Sequence, residues 1–206
     1  MKTAVAIPCM DMVHTQFMKS VLGMRFSGEV NFFFGQSSLI YDSRNQLSRL
    51  ALEWGADRIL WLDSDMIFPE DMFEKMSAHM DEGAEFVTGL YVTRKEPVRP
   101  VLYKEIGETW DEHLAVIPYA EPVREIPDEV FEIEGCGFGG VMVSARVISH
   151  IHQIFGLPFS PESGYGEDLS FCRRVKQIGV PMYCDPSIKM GHIGQHVFTE
   201  DDIRRE

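Results

Sequence analysis

No stretch of this sequence approaches the ~18 consecutive apolar residues that a membrane-spanning helix needs, so no segment is expected to cross a bilayer. The opening MKTAVAIPCM carries one Lys and a short apolar run, but Pro8 and Asp11 interrupt it where an export signal would need its apolar centre. A strand is expected there instead. The four cysteines, at 9, 136, 172 and 184, form no C-x-x-C pair and no short regular spacing, so neither a zinc knuckle nor a small disulfide scaffold is suggested. Free thiols and a cytoplasmic setting are the simplest reading. Cations are scarce: 19 Lys and Arg stand against 32 Asp and Glu, a formal net charge of -13. General adhesion to nucleic acid or anionic lipid depends on Lys and Arg and is not expected. The same acidity suits either a well-solvated surface or a protein that gathers divalent cations.

The 206 residues fit one domain over 1–199, followed by a charged extension over 200–206. Residues 2–8 and 58–63 are short apolar runs of the kind found in buried parallel strands. A helix is expected from Tyr41 to Trp54, with positions 47, 50, 51 and 54 on its inner face, Arg44 and Ser48 elsewhere, and Asp42 or Ser43 as cap. Pro69-Glu70-Asp71 reads as a second helix start, with Met72, Phe73, Met76 and Met80 as its buried stripe. Residues 85–92 read as a strand. The Pro-punctuated stretch 93–127 contains shorter strand candidates at 101–104 and 114–119. Residues 131–134 and 141–143 follow as strands, Ser144 caps a helix to about Ile154, 158–166 is loop, and Glu167–Ile178 is a helix ended by Gly179. Strands around 182–184 and 188–191 complete an α/β pattern with added antiparallel pairing.

Leu62 is followed by Asp63-Ser64-Asp65, two carboxylates one small residue apart beyond a buried strand. Ligands collect beyond the carboxyl ends of strands in open α/β sheets, and carboxylates there can hold a hard cation that also touches phosphate. The alternative is that one of them turns the chain or caps the next helix. Glu167 and Asp168 open a helix, where the dipole stabilises acids whether or not they act in chemistry. His192 stands between Gly191 and Gly194, a setting that exposes an imidazole as a candidate cation ligand.

The aspartate pair, the EGCGFGGVMVSA segment, the GEDLSFCRRVKQIGVPMYCDPSIKMGHIG block and the early strand with YDSRNQLSRLAL together resemble family 2-type glycosyltransferases of the GT-A fold, across residues 3–194. The resemblance implies a Rossmann-like, mainly parallel sheet flanked by helices, with a small antiparallel addition. It implies that Asp65 binds Mn2+ or Mg2+ bridging the diphosphate of a UDP- or GDP-sugar. Asp63 and Ser64 would contact metal, ribose or donor sugar, and His192 would complete the metal site. Pro8 with its following loop, Arg44 and Asn45 match positions lining the nucleotide pocket. Gly137, Gly139 and Gly140 would admit the sugar close to the backbone. In an inverting member a carboxylate takes the proton of the attacking hydroxyl, and Asp168 or its neighbour Glu167 is the candidate.

The chain departs from the pattern over residues 31–38, which carry no acidic pair for the nucleotide base. A histidine metal ligand also occurs in retaining relatives, so the stereochemistry stays open. Sugar-phosphate nucleotidyltransferases share the fold and metal but need a glycine-rich loop after the first strand, and residues 8–20 contain no glycine. A nucleotide-sugar-binding or metal-binding module without turnover is the non-enzymatic alternative.

Overall fold

Alternation along one short strand sets the architecture. In β1 (Lys2–Pro8), Ala4 and Ala6 face one hydrophobic cluster while Val5 and Ile7 face another. A sheet that buries both faces needs helices on both, and the chain supplies them. The computed structural model describes residues 1–113, 115–194 and 197–202. After β1 come α1 (Thr15–Gly23), β2 (Glu29–Gly35), α2 (Ile40–Trp54), β3 (Arg58–Leu62), β4 (Met66–Ile67) and α3 (Met72–Asp81). Next are β5 (Phe86–Leu90), β6 (Leu102–Trp110), β7 (Val116–Pro122), β8 (Phe131–Ile133), β9 (Gly135–Cys136) and β10 (Gly140–Ser144). The chain continues through α4 (Ala145–Phe155), α5 (Glu167–Gln177), β11 (Met182–Lys189), β12 (Gly191–Ile193) and β13 (Val197–Phe198), ending in a 3-10 turn at Glu200–Asp202.

The main sheet has seven strands in the order β2-β1-β3-β10-β5-β11-β8. β1 runs parallel to β2 and β3, and β5 runs parallel to β11, while β10 lies antiparallel between β3 and β5. Two three-stranded antiparallel sheets, β13-β12-β4 and β7-β6-β9, form the addition. The mixed sheet with flanking helices is the α/β class expected from the alternation of strands and helices.

One face packs against Leu47 and Ala51 of α2, Val147, Ile148 and Ile151 of α4, and Phe171, Cys172 and Val175 of α5. The opposite face takes Phe17 and Val21 of α1 and the expected stripe Met72, Phe73, Met76 and Met80 of α3. Ser144 caps α4 as expected, accepting from the Val147 N–H at 3.2 Å. Neither Asp42 nor Ser43 caps α2. Leu39 holds that position in extended conformation without a side-chain bond, and Asp42 instead accepts from the Ser37 hydroxyl at 3.1 Å. Arg44 and Ser48, expected off the inner face of α2, are both buried.

The Pro-punctuated stretch is more ordered than its composition foretold. β6 runs to Trp110 because it pairs with β7 along its length, from Tyr103↔Pro122 to Trp110↔Val116. The strand expected from 114 begins at Val116, and Leu114 lies outside the described residues. Tyr165 ties this hairpin to the body, its hydroxyl donating to the Gly107 carbonyl and reaching the Tyr119 carbonyl at 2.9 Å. Of the terminal extension, residues 203–206 lie outside the described residues. Among the described residues no helix is long and apolar enough to cross a membrane.

Candidate active site

Pro8, Asp63 and Tyr91 sit where β1, β3 and β5 end, on the sheet edge that ligands favour. Together with Arg44 of α2, the start of α5 and the loop after β1 they enclose a cleft of about 520 Å3. That volume lies in the ordinary range for a small-molecule site. Of the sequence candidates, Pro8, Arg44, Asp63, Ser64, Asp65, Glu167 and Asp168 line it. Met10, Met12, His14, Ile40, Tyr91, Arg94 and Phe138 complete the lining.

Asp63 is fixed from both sides. Its N–H donates to the Gly139 carbonyl at 3.1 Å, and its carboxylate receives Arg44 Nη2 at 2.9 Å and 3.2 Å. Arg44 Nε also donates to Glu167 Oε1 at 3.3 Å, so one guanidinium joins α2, the end of β3 and the start of α5. Only 2% of the Arg44 side chain is exposed. Its guanidinium carbon lies 5.3 Å from the Phe138 ring and 5.9 Å from the rings of Trp61 and Phe159. Burial works against the Arg44 charge, and Asp63 and Glu167 more than offset it. The same burial pushes the Asp63 carboxyl up to about 6, with Arg44 opposing the rise and Asp65 adding to it.

Asp65 is placed by a turn and by strand pairing. The Met66 N–H closes back on the Asp63 carbonyl at 3.2 Å, and β12 lies antiparallel to β4 with His192 opposite Met66. His192 Nε2 therefore sits 3.6 Å from Asp65 Oδ2. His192 Nδ1 is 2.8 Å from the Val92 carbonyl, an acceptor, so that nitrogen carries the proton. With Nδ1 anchored there, Nε2 faces Asp65, the usual arrangement of a metal-ligating histidine whose other nitrogen is held by a backbone carbonyl. Among the described residues no group of three or more His, Cys, Asp or Glu side chains gathers as a complete metal cage. Asp65 and His192 fit a site that supplies two protein ligands and leaves the rest to a bound ligand. Arg94 Nη1 also contacts Asp65 Oδ2, at 2.6 Å. Burial would raise the Asp65 carboxyl, but the His192 ring and the Arg94 charge hold it below the usual carboxylate range.

Glu167 and Asp168 fill the first turn of α5 at its positive end. Glu167 is committed to Arg44, whereas Asp168 accepts the Leu169 N–H at 2.7 Å. Burial, reinforced by the Glu167 charge, raises the Asp168 carboxyl.

Other expected contacts lie elsewhere. Asn45 turns from the cleft, and its Oδ1 accepts the Phe159 N–H at 2.9 Å to hold the loop before α5. Gly137, Gly139 and Gly140 are not among the residues lining the cleft, and packing alone requires them to be bare. A Cβ at Gly137 would lie 2.1 Å from the Tyr91 hydroxyl, and one at Gly140 would lie 2.4 Å from the Met190 sulfur. Gly139 likewise abuts Met66 and Tyr91. Arg94 and Tyr91 went unread in the sequence. Their one signal was position, Tyr91 near the end of the strand expected over 85–92 and Arg94 just beyond it.

No protein-family model matches the chain, and no curated protein matches it. Among solved structures, A197 from STIV aligns with a TM-score of 0.69 at 21% identity, over 100% of this chain and 98% of that one. GalNAc-T7, crystallised with UDP, GalNAc and Mn2+, aligns with a TM-score of 0.62 at 12% identity, over 94% of this chain and 43% of that one. At these identities the likeness is one of fold, and the fold is GT-A-like: a mixed, largely parallel central sheet between helices, with antiparallel sheets added beside it.

Proposed function

We propose that the chain is a divalent-metal-dependent glycosyltransferase that moves a sugar from a UDP- or GDP-sugar to an acceptor hydroxyl with inversion. The observation that carries this reading is the pairing of Asp65 Oδ2 with the anchored His192 Nε2, 3.6 Å apart, beside a cleft that also holds Asp63 and Asp168. The fold likeness to GalNAc-T7 with UDP, GalNAc and Mn2+ supports it.

Asp65 and His192 would hold Mn2+ or Mg2+. The bound ion's contribution is electrostatic, offsetting the charge that builds on the departing nucleoside diphosphate. Asp63 and Ser64 lie beside that position and would face ribose or donor sugar. Arg44 pairs with two carboxylates through Nη2 and Nε and so holds Asp63 and Glu167 in place.

Asp168 is the proposed base. Burial, with the Glu167 charge, raises its carboxyl above the ordinary carboxylate value, which favours proton uptake, and its neighbour Glu167 is paired with Arg44. The acceptor oxygen forms a bond to the anomeric carbon as the bond from that carbon to phosphate breaks. The hydroxyl proton passes to Asp168, and the electron pair leaves with the diphosphate. A retaining enzyme would need no such base. The free thiols of Cys136, Cys172 and Cys184, all buried, suit a reducing setting, and a cytoplasmic location goes with this proposal.

The deciding assay follows nucleoside diphosphate release from a panel of nucleotide sugars, with and without Mn2+. Donor turnover that needs metal and is lost in Asp65→Ala supports the enzyme. Binding of metal and nucleotide with no turnover on any donor or acceptor would make the protein a binding module.

A further inference from the structure

Arg94 occupies the carboxylate on which the glycosyltransferase reading depends. Its Nη1 lies 2.6 Å from Asp65 Oδ2 and 3.4 Å from the Ile193 carbonyl, while His192 Nε2 approaches the same carboxylate oxygen at 3.6 Å. A cation shared by Asp65 and His192 and a guanidinium on Asp65 would compete for one oxygen, and they repel each other.

Two features show that Arg94 is free to yield. Its side chain is 48% exposed, so its own charge stays in water when it leaves Asp65. Its loop is also closed by its own backbone, through Thr93 N–H to the Arg99 carbonyl at 2.8 Å and the Val92↔Pro100 bridge, and neither contact involves the guanidinium. Where it would go follows from the charges lining the cleft. Asp63, Asp65, Glu167 and Asp168 are all acidic, and the second arginine there, Arg44, is buried and committed to Asp63 and Glu167. A diphosphate entering this acidic cleft needs a cation from the protein, and Arg94 is the arginine positioned to supply it.

We propose that Arg94 is a placeholder cation: it neutralises Asp65 in the metal-free protein, then yields Asp65 to the divalent ion and pairs with the phosphate oxygens of the nucleoside diphosphate. This rests on the glycosyltransferase reading of the same site. It makes metal and nucleotide binding mutually dependent beyond their direct contact, because each alone leaves Arg94 or Asp65 without its best partner.

The test titrates MnCl2 by electron paramagnetic resonance, with and without UDP or GDP, for wild type, Arg94→Ala, Arg94→Lys and Asp65→Ala. Arg94→Ala is expected to bind Mn2+ alone about 10-fold more tightly and nucleoside diphosphate in saturating Mn2+ about 10-fold more weakly, within the usual range of coupling between sites. Arg94→Lys should recover part of both effects. If Arg94→Ala leaves either affinity unchanged while Asp65→Ala abolishes Mn2+ binding, the placeholder is refuted and the metal site stands. If wild type binds no Mn2+ even with nucleotide, or Asp65→Ala binds it as wild type does, the metal-dependent reading fails and the placeholder with it. Unfolding temperatures of the variants, read alongside, are expected to match wild type at Arg94 because the side chain is exposed.

Discussion

Arg44 grips Asp63 through a single nitrogen, 2.9 Å and 3.2 Å from the two carboxylate oxygens, while its Nε holds Glu167 at 3.3 Å. The contact joins residues 19 and 123 positions from Arg44. Removing one member of such a buried set leaves the others uncompensated. Arg44→Leu should cost about 3–5 kcal/mol in urea unfolding, and Arg44→Lys, which keeps the charge but loses the fork, should recover only part of it. A loss below ~1 kcal/mol for Arg44→Leu would mean that water reaches these carboxylates and screens them.

Asp63 gives stability a defined pH dependence. Its folded-state pKa of about 6 lies above the 3.8 of a free carboxyl, so between those values the folded chain binds more protons than the unfolded one. Its contribution is therefore fully present below about pH 4, declines as pH rises, and is lost above about pH 6. Metal-free wild type compared with Asp63→Asn by chemical denaturation should show a stability difference that moves against wild type across that window. A flat difference would show an ordinary carboxyl at this position.

Asp168→Asn should keep donor and Mn2+ affinity while lowering the rate of transfer by ~10²–10⁴, the usual worth of a positioned base. Chromatographic analysis of the product anomer belongs with this experiment. Unchanged transfer with a retained anomeric configuration would remove the base from the proposal.

Asp65→Ala should lower metal-dependent donor turnover by at least ~100-fold, the scale of losing one preorganised electrostatic contact in an active site. Turnover kept at the wild-type level would dismiss the metal assignment.

Ser144→Ala provides a structural control remote from the cleft. Its hydroxyl caps α4 and donates to Glu85 Oε1 at 3.0 Å, so the variant should lose about 1 kcal/mol of stability with turnover unchanged.

What the sequence revealed was what local pattern governs. Asp63-Ser64-Asp65 followed a strand whose aliphatic run marks it, the stripe of α3 was periodic, and the acids opening α5 stood after a glycine-containing loop. What it withheld depends on partners far along the chain. Arg44 reads as a solvent-facing residue of α2 until two carboxylates arrive to neutralise it in the interior. Arg94 sits in a polar, proline-punctuated stretch, and only the pairing of β12 with β4 brings His192 and Asp65 within its reach. The length of β6 was hidden because beyond the buried Leu102 and Ile106 it shows no strict alternation, and the register of its partner, rather than its composition, sets its end. The glycine cluster was visible as a feature, but its beneficiaries Tyr91 and Met190 lie 46 and 50 positions from Gly137 and Gly140 and carry no local sign.

The reversed direction of β10 shapes how the rim of the cleft can change. Entering the sheet beside Leu62 and leaving it beside Arg58, β10 sends α4 off from the edge opposite the cleft, so α4 and the loop that follows form an out-and-back excursion returning at Glu167. That excursion contributes no strand. Arg174, from α5, holds its last stretch by the Pro158 and Ser160 carbonyls. Phe159 and Tyr165 anchor the segment in the core, but the exposed turn at Pro161, Ser163 and Gly164 can change without altering the register of any sheet, which under the proposed function makes it the natural place for the chain to acquire a different acceptor.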